Sequence, residues 1–371
     1  MKLKALTLLV SVALVGCGGS GSDSNDNIVK KSGNLDGQIQ SLNPSTQSLS
    51  LHGEQLSAAN AKISYQGKTL QFSNLDEGMR VQLTANNGET NDIKLNPTLV
   101  GKVIKIDGTK VTVDGVTFEY KLDDDIEVGD WVLVTGYTQA DGSIKIVSVK
   151  EIAELDNDQH EFEGVVAELD DNNKRFKIGP VEVDYSGASI DKDDDLKLEN
   201  GSWVEVYGTF DGSTFTAKKV ELEDEQDYAD QEVEGVLTWV NKGQTQIEIN
   251  GRIRAEITAK TEFDDGKKSD LALGRWIEVD LQTQSDTLWA KEIEFGDDDK
   301  IKGKEFDLEG MASNVNSQLK QFEVAGETIY VDAKTEFDDG ITFDNLDGQK
   351  VEVEGMIIDG RKMAKEIESN D

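Results

Sequence analysis

The sequence predicts an all-β fold, a row of small five-stranded OB-like Greek-key barrels, from three observations: self-similar segments, strict alternation within them, and a long polar gap between the third and fourth strands. Residues 259–266 and 333–340 are the same eight letters, Ala-Lys-Thr-Glu-Phe-Asp-Asp-Gly, and both segments close on Ala-Lys-Glu-Ile-Glu, at 290–294 and 364–368. Repetition of this kind marks tandem units rather than two or three large domains. The openings align too: Glu163-Gly164-Val165, Glu234-Gly235-Val236 and Glu309-Gly310-Met311, with weaker Asp36-Gly37-Gln38 and Val100-Gly101-Lys102 upstream. A second glycine starts the most regular stretch of each unit, at Gly78, Gly129, Gly201, Gly274 and Gly348. Five β modules result: a divergent 34–96, then 97–155, 156–226, 227–299 and 300–371.

The third unit shows each element in order. Residues 162–169 alternate and 170–173 are a turn cluster. Short runs at 175–178 and 181–185 flank Gly179-Pro180, a polar interval fills 186–200, 202–210 alternate strictly, Asp211-Gly212 turns, and 215–222 close the unit. The polar interval is long enough for a helical turn that starts on carboxylates. In the fourth strand Val204, Val206 and Gly208 share one face, as do Val132, Val134 and Gly136 and Val351, Val353 and Gly355. These point to a core, while Glu205, Glu352 and Glu354 point to water. The glycine ending each inward row lets a bent strand turn a barrel corner. The competing arrangement is a set of open antiparallel meanders stacked end to end.

The outward face of that strand carries Trp131, Trp203 and Trp276 at one position of three consecutive units, candidates for binding a sugar ring or for packing between modules. Arg80 and Lys350 replace them in the first and last units, as expected where a neighbour is missing, and this favours packing.

Residues 1–16 read as a targeting segment. Lys2 and Lys4 precede an apolar run at 5–15, too short to cross a hydrocarbon layer of about 30 Å. The run ends in Leu14-Val15-Gly16-Cys17, which resembles the bacterial lipobox, and Cys17 is the chain's one cysteine. The resemblance implies a lipid on Cys17, membrane anchorage through it, and, with Gly18 rather than Asp next, an outer-membrane address. Residues 17–33 then form a lipidated, polar tether.

Composition excludes more than it identifies. With 74 Asp plus Glu against 38 Lys plus Arg, a net charge of −36 repels phosphate backbones, so nucleic acid is not an expected partner. Spread over turns, joins and outer faces, the charge is expected to keep the modules extended, and the acidic join at 221–234 reads as a solvated connector. Motifs for zinc peptidases, serine hydrolases and dinucleotide binding do not occur, and no cofactor is implied. His52 and His160 lie in different units with no motif around either, and read as surface or strand-edge residues. Asp191, Asp193 and Asp195 are weak calcium candidates, because Leu196 stands where an EF-hand loop needs glycine and Ser202 where it needs Glu. The expectation is a non-enzymatic structural or protein-interaction role in the cell envelope; the alternative is a receptor for glycan or divalent cations.

The order Glu-Gly-Val opening, Thr-Glu-Phe centre, Gly-x-x-Val-Glu-Val-Glu-Gly fourth strand and Ala-Lys-Glu-Ile-Glu ending resembles the bacterial domain of unknown function 5666, found as tandem copies in secreted proteins and lipoproteins. The likeness is closest for 300–371 and 227–299, good for 156–226 and faint upstream. It implies an OB-like barrel and an envelope location, and brings no established activity or catalytic residue. Leu281 departs from the pattern, standing where other units have a corner glycine.

Overall fold

Alternating residues form strands wherever one face finds a core, and the computed structural model, which describes residues 32–152, 160–191, 196–284, 287–296, 305–358 and 361–370, is strands and turns throughout. Its only helices among the described residues are single 3-10 turns, such as Phe72–Asn74, Lys268–Asp270 and Phe343–Asn345. Those three fill the gap before the fourth strand in the first, fourth and fifth units. In the third unit the gap instead holds a short strand, Ser189–Asp191.

The third unit contains His160–Asp170, Arg175–Ile178, Val181–Asp184, Trp203–Phe210 and Thr214–Leu222 as its main strands. His160–Asp170 pairs antiparallel with both Arg175–Ile178 and Trp203–Phe210, and Thr214–Leu222 runs parallel to Val181–Asp184. That parallel ladder rules out a purely antiparallel meander. Val204, Val206, Val132, Val134, Val351 and Val353 are all fully buried. The strand bends where the glycine sits: register shifts occur at Gly136, Gly208 and Gly355. A Cβ on Gly208 would lie 2.1 Å from the Thr216 carbonyl oxygen, and one on Gly355 as close to that of Met363. Leu281 takes the same bulge without a glycine, its side chain buried.

The expected row of small closed OB-like barrels is overturned. The chain is a β-solenoid of stacked coils that share sheets. Coils 1 (33–95) and 4 (231–295) lie in one 14-stranded sheet, coils 2 (99–151) and 3 (160–222) in one 11-stranded sheet, and coil 5 (305–369) in a 7-stranded sheet. The opening strands make the joins because they have pairing capacity left over. Gly33–Gln38 pairs antiparallel with Arg80–Asn86 of its own coil and, on its other edge, parallel with Gln231–Val240 of coil 4. Leu99 and Val100 pair with Val134 and Leu133 on one side and with Phe162 and Glu161 on the other.

Cores follow the same joins. One apolar cluster runs from Leu99, Val132 and Val134 of coil 2 into Phe162, Phe176 and Val206 of coil 3. Coil 1's cluster takes in Val100, Trp131, Leu133 and Ile152 of coil 2. The modules therefore do not form the extended, mutually repelling string that the charge suggested. Opposite charges meet across the joins, and local pairing outweighs the net excess.

Candidate functional site: an ionic seam between coils

The outward strand faces, whose glutamates were expected in water and whose tryptophans were candidates for a sugar ring or for packing between modules, are where coils meet. Trp131 is 6% exposed and its ring lies 4.6 Å from that of His160 in coil 3. Trp203 is 9% exposed and lies under the Arg252 guanidinium of coil 4, 4.9 Å away. Trp276 is half-buried and meets Tyr137 of coil 2 edge-on at 5.1 Å. Arg80, expected to lack a neighbour, is buried and faces coil 3, whereas Lys350 is exposed. Glu205, Glu352 and Glu354 are likewise half-covered rather than free in water.

Coils 1, 3 and 4 converge on a chain of charges. On the first strand Asp36, fully buried, accepts Arg80 Nε at 2.8 Å and Arg80 Nη2 at 3.0 Å, a two-point pairing that arginine's planar fork suits. Arg80 Nη1 lies 3.9 Å from Glu163 Oε2. Arg252 Nη1 donates to the same Glu163 oxygen at 3.4 Å and to Glu223 Oε2 at 2.9 Å. Tyr228 Oη donates to that Glu223 oxygen at 3.1 Å, and the Tyr228 ring covers the other side of Arg252 at 5.5 Å. The join at 221–234, expected to be a solvated connector, is thus folded into the seam. Glu225–Tyr228 is a 3-10 turn there, and both Tyr228 and Glu234 are buried.

Burial pushes the Glu163 carboxyl up to about 7, against the pull of Arg80. Burial, and then Glu163 beside it, push Glu223 well above the carboxylate range. A cavity of about 30 Å3, lined by Arg80, Glu163, Trp203, Glu234, Arg252 and Trp276 among others, lies at the meeting point. It has room for about two waters. Among the described residues, Arg252 Nε and Nη2 and Trp203 Nε1 have no hydrogen-bond partner.

Two further clusters belong to the same class. In coil 4 the buried Glu248 accepts Lys365 Nζ of coil 5 at 2.8 Å on both oxygens, with Arg254 Nε at 3.4 Å. Burial alone would raise this carboxyl, but Lys365 and Arg254 hold it well below its usual range. Between coils 1 and 4, His52 Nδ1 lies 3.2 Å from Glu232 Oε1 and 3.1 Å from Glu278 Oε2, and its Nε2 is 3.1 Å from the Asp36 carbonyl oxygen. Burial would lower the imidazole pKa, yet hydrogen bonds to Glu232 and Glu278 raise it to about 10. His160 bonds Asp114 through Nδ1. Both histidines are buried, so the expectation of surface residues is corrected: each fills a polar gap at a coil junction.

Asp191 is exposed and 3.2 Å from Lys219 Nζ. Asp193, Asp195 and Cys17 lie outside the described residues. The sequence offered no site role for Arg80, Glu163, Glu234 or His52, and no motif in it singled out Arg252. One signal was available: the chain has six Arg, and Arg80, Arg252 and Arg254, half of them, are buried. In a lysine-rich chain the scarce guanidinium is kept for buried pairing.

No curated protein matches the chain. The family described as Domain of unknown function (DUF5666) matches residues 98–145, 163–221, 234–294 and 309–368, four tandem copies that cover coils 2 to 5 and more than half the sequence. By those four copies, the chain belongs to the DUF5666 family.

Proposed function

We propose that this protein is a non-enzymatic component of the cell envelope, held to the outer membrane by a lipid on Cys17, that presents a rigid acidic β body for a structural or protein-interaction role. The observation that carries this reading is the use of its reactive side chains. Arg80, Arg252, Glu163 and Glu223 are engaged with one another between coils, Glu248 and Lys365 pair at another junction, and the cavity beside Arg80, Glu163 and Arg252 has room for about two waters. The anchor is supported by the Leu14-Val15-Gly16-Cys17 sequence after an apolar run.

Replacing Trp203 and Trp276 together by Ala tests the reading against a glycan receptor. Lost thermal stability with unchanged retention on glycan arrays is expected, because Trp203 packs on Arg252 and Trp276 on Tyr137. Unchanged melting with lost glycan retention would overturn it. For the anchor, a Cys17→Ser chain should no longer take up labelled palmitate, and continued labelling would exclude this attachment point.

A further inference from the structure

We propose that coils 1 and 4 are joined by a divalent transition-metal site of the Zn2+ class, with His52 Nδ1 and the carboxylates of Glu234 and Glu278 as ligands and Glu232 at its edge. Three clusters among the described residues bring carboxylate or imidazole donor atoms within 4.8 Å of one another. Two are already occupied by side-chain cations: Asp307, Glu352 and Glu354 hold Lys242, and Glu163 and Glu223 hold Arg252. The third is centred on His52, also a cation while both ring nitrogens are protonated, but one that becomes a metal donor on losing the Nδ1 proton.

Backbone geometry builds this third cluster. Glu234 and Glu278 are direct cross-strand partners, so their side chains leave the sheet on one face, and Glu232 lies two residues from Glu234 on that same face. Like charges placed opposite one another and buried are unfavourable unless a cation sits between them. His52 arrives from coil 1 on a left-handed turn, φ 52°, directly after Ser48–Leu51. Gly37 leaves it space: a Cβ there would lie 2.5 Å from His52 Nε2 and 2.8 Å from Glu234 Cγ.

The outer contacts are those a metal-binding imidazole uses. His52 Nε2 faces the Asp36 carbonyl oxygen at 3.1 Å, so one ring proton has an acceptor there, and a metal at Nδ1 would replace the proton that Nδ1 shares with Glu232 and Glu278. Glu234 Oε1 is aimed by the Gln38 amide, which donates to it at 2.6 Å. One nitrogen and two or three carboxylate oxygens suit Zn2+ and its first-row neighbours. Ca2+ takes six to eight oxygens, and Mg2+ prefers water and oxygen.

The test uses the full chain, stripped by chelator and titrated calorimetrically with Zn2+ in excess Mg2+, which saturates diffuse binding to exposed acids. One tight equivalent per chain is expected, with a rise in melting temperature on loading, and Co2+ in its place should give visible ligand-field bands that saturate at one equivalent. His52→Gln and Glu278→Gln should each weaken the tight equivalent by more than the about 10–100-fold typical of losing an outer contact. Asp107→Asn, at an exposed acid of coil 2, should leave it unchanged. Failure to find a tight equivalent, its displacement by Mg2+, or its survival in a folded His52→Gln chain would each overturn the proposal. Should His52→Gln not fold, Glu278→Gln and the Co2+ spectrum of the unaltered chain decide in the same way.

Discussion

Two seams of this molecule solve the same problem with opposite chemistry. Where coil 2 meets coil 1 the contact is apolar: Val100, Trp131, Leu133 and Ile152 enter a cluster with Met79, Val81 and Leu95. Where coil 3 meets coil 4 it is ionic, with Arg252 between Glu163, Glu223, Trp203 and Tyr228. An apolar seam gains free energy in proportion to the area it removes from water, whichever apolar side chains supply it. An ionic seam gains little net energy, because desolvation offsets attraction, yet it penalises any arrangement that leaves one charge unmet. The apolar seam therefore sets how strongly coils hold, and the ionic one sets which coils meet.

The largest effect is expected from Arg252→Ala, which strands Glu163 and Glu223 in a buried site and should cost about 3–5 kcal/mol in denaturant unfolding of the full chain. Leu133→Ala, at the apolar seam, should cost about 2–5 kcal/mol through lost burial and a residual cavity. If Arg252→Ala cost no more than an exposed substitution, less than about 0.5 kcal/mol, the ionic seam would carry no penalty for unmet charges and the contrast between the seams would fail. A pH series sharpens the contrast. Because the folded state raises Glu163 to about 7, the stability linked to its protonation is present below the ordinary carboxylate pKa and is lost as pH rises through about 7. Glu366, raised to about 7 by burial and then by Glu354, acts in the same direction. Melting temperature should therefore climb from about pH 8 to about pH 5. Further acid should reverse the trend, since the depressed Glu248 stabilises only while ionised. The smallest effect is expected at Lys350, the outward position of coil 5 that faces solvent, where Ala should change stability by less than about 0.5 kcal/mol.

What the sequence disclosed was local. The hairpins, the inward valines and the bend at Gly136, Gly208 and Gly355 follow from a period of two and from turn residues, and each appears where alternation puts it. Alternation also placed Trp203 and Glu205 on opposite sides of the strand from Val204, but it cannot say what lies beyond an outward face. A charged residue looks solvated in sequence whether it meets water or, like Glu163, an arginine 89 positions away. The net charge misled for the same reason: −36 is a sum, whereas seams are decided by pairs. The shared sheets were illegible because pairing between distant edges leaves no short-range mark.

The parallel ladder between Gly33–Gln38 and Gln231–Val240 joins the first coil to the fourth. During synthesis the opening strand emerges early and its partner late, after three coils have left the ribosome. For that interval one edge of the first coil displays unpaired amides and carbonyls, the kind of edge other chains can add to. Completing the body thus requires a long loop to close before its reward arrives, so final assembly should be the slow phase of folding, and the first coil the segment that most benefits from being kept apart from its copies until the fourth is made.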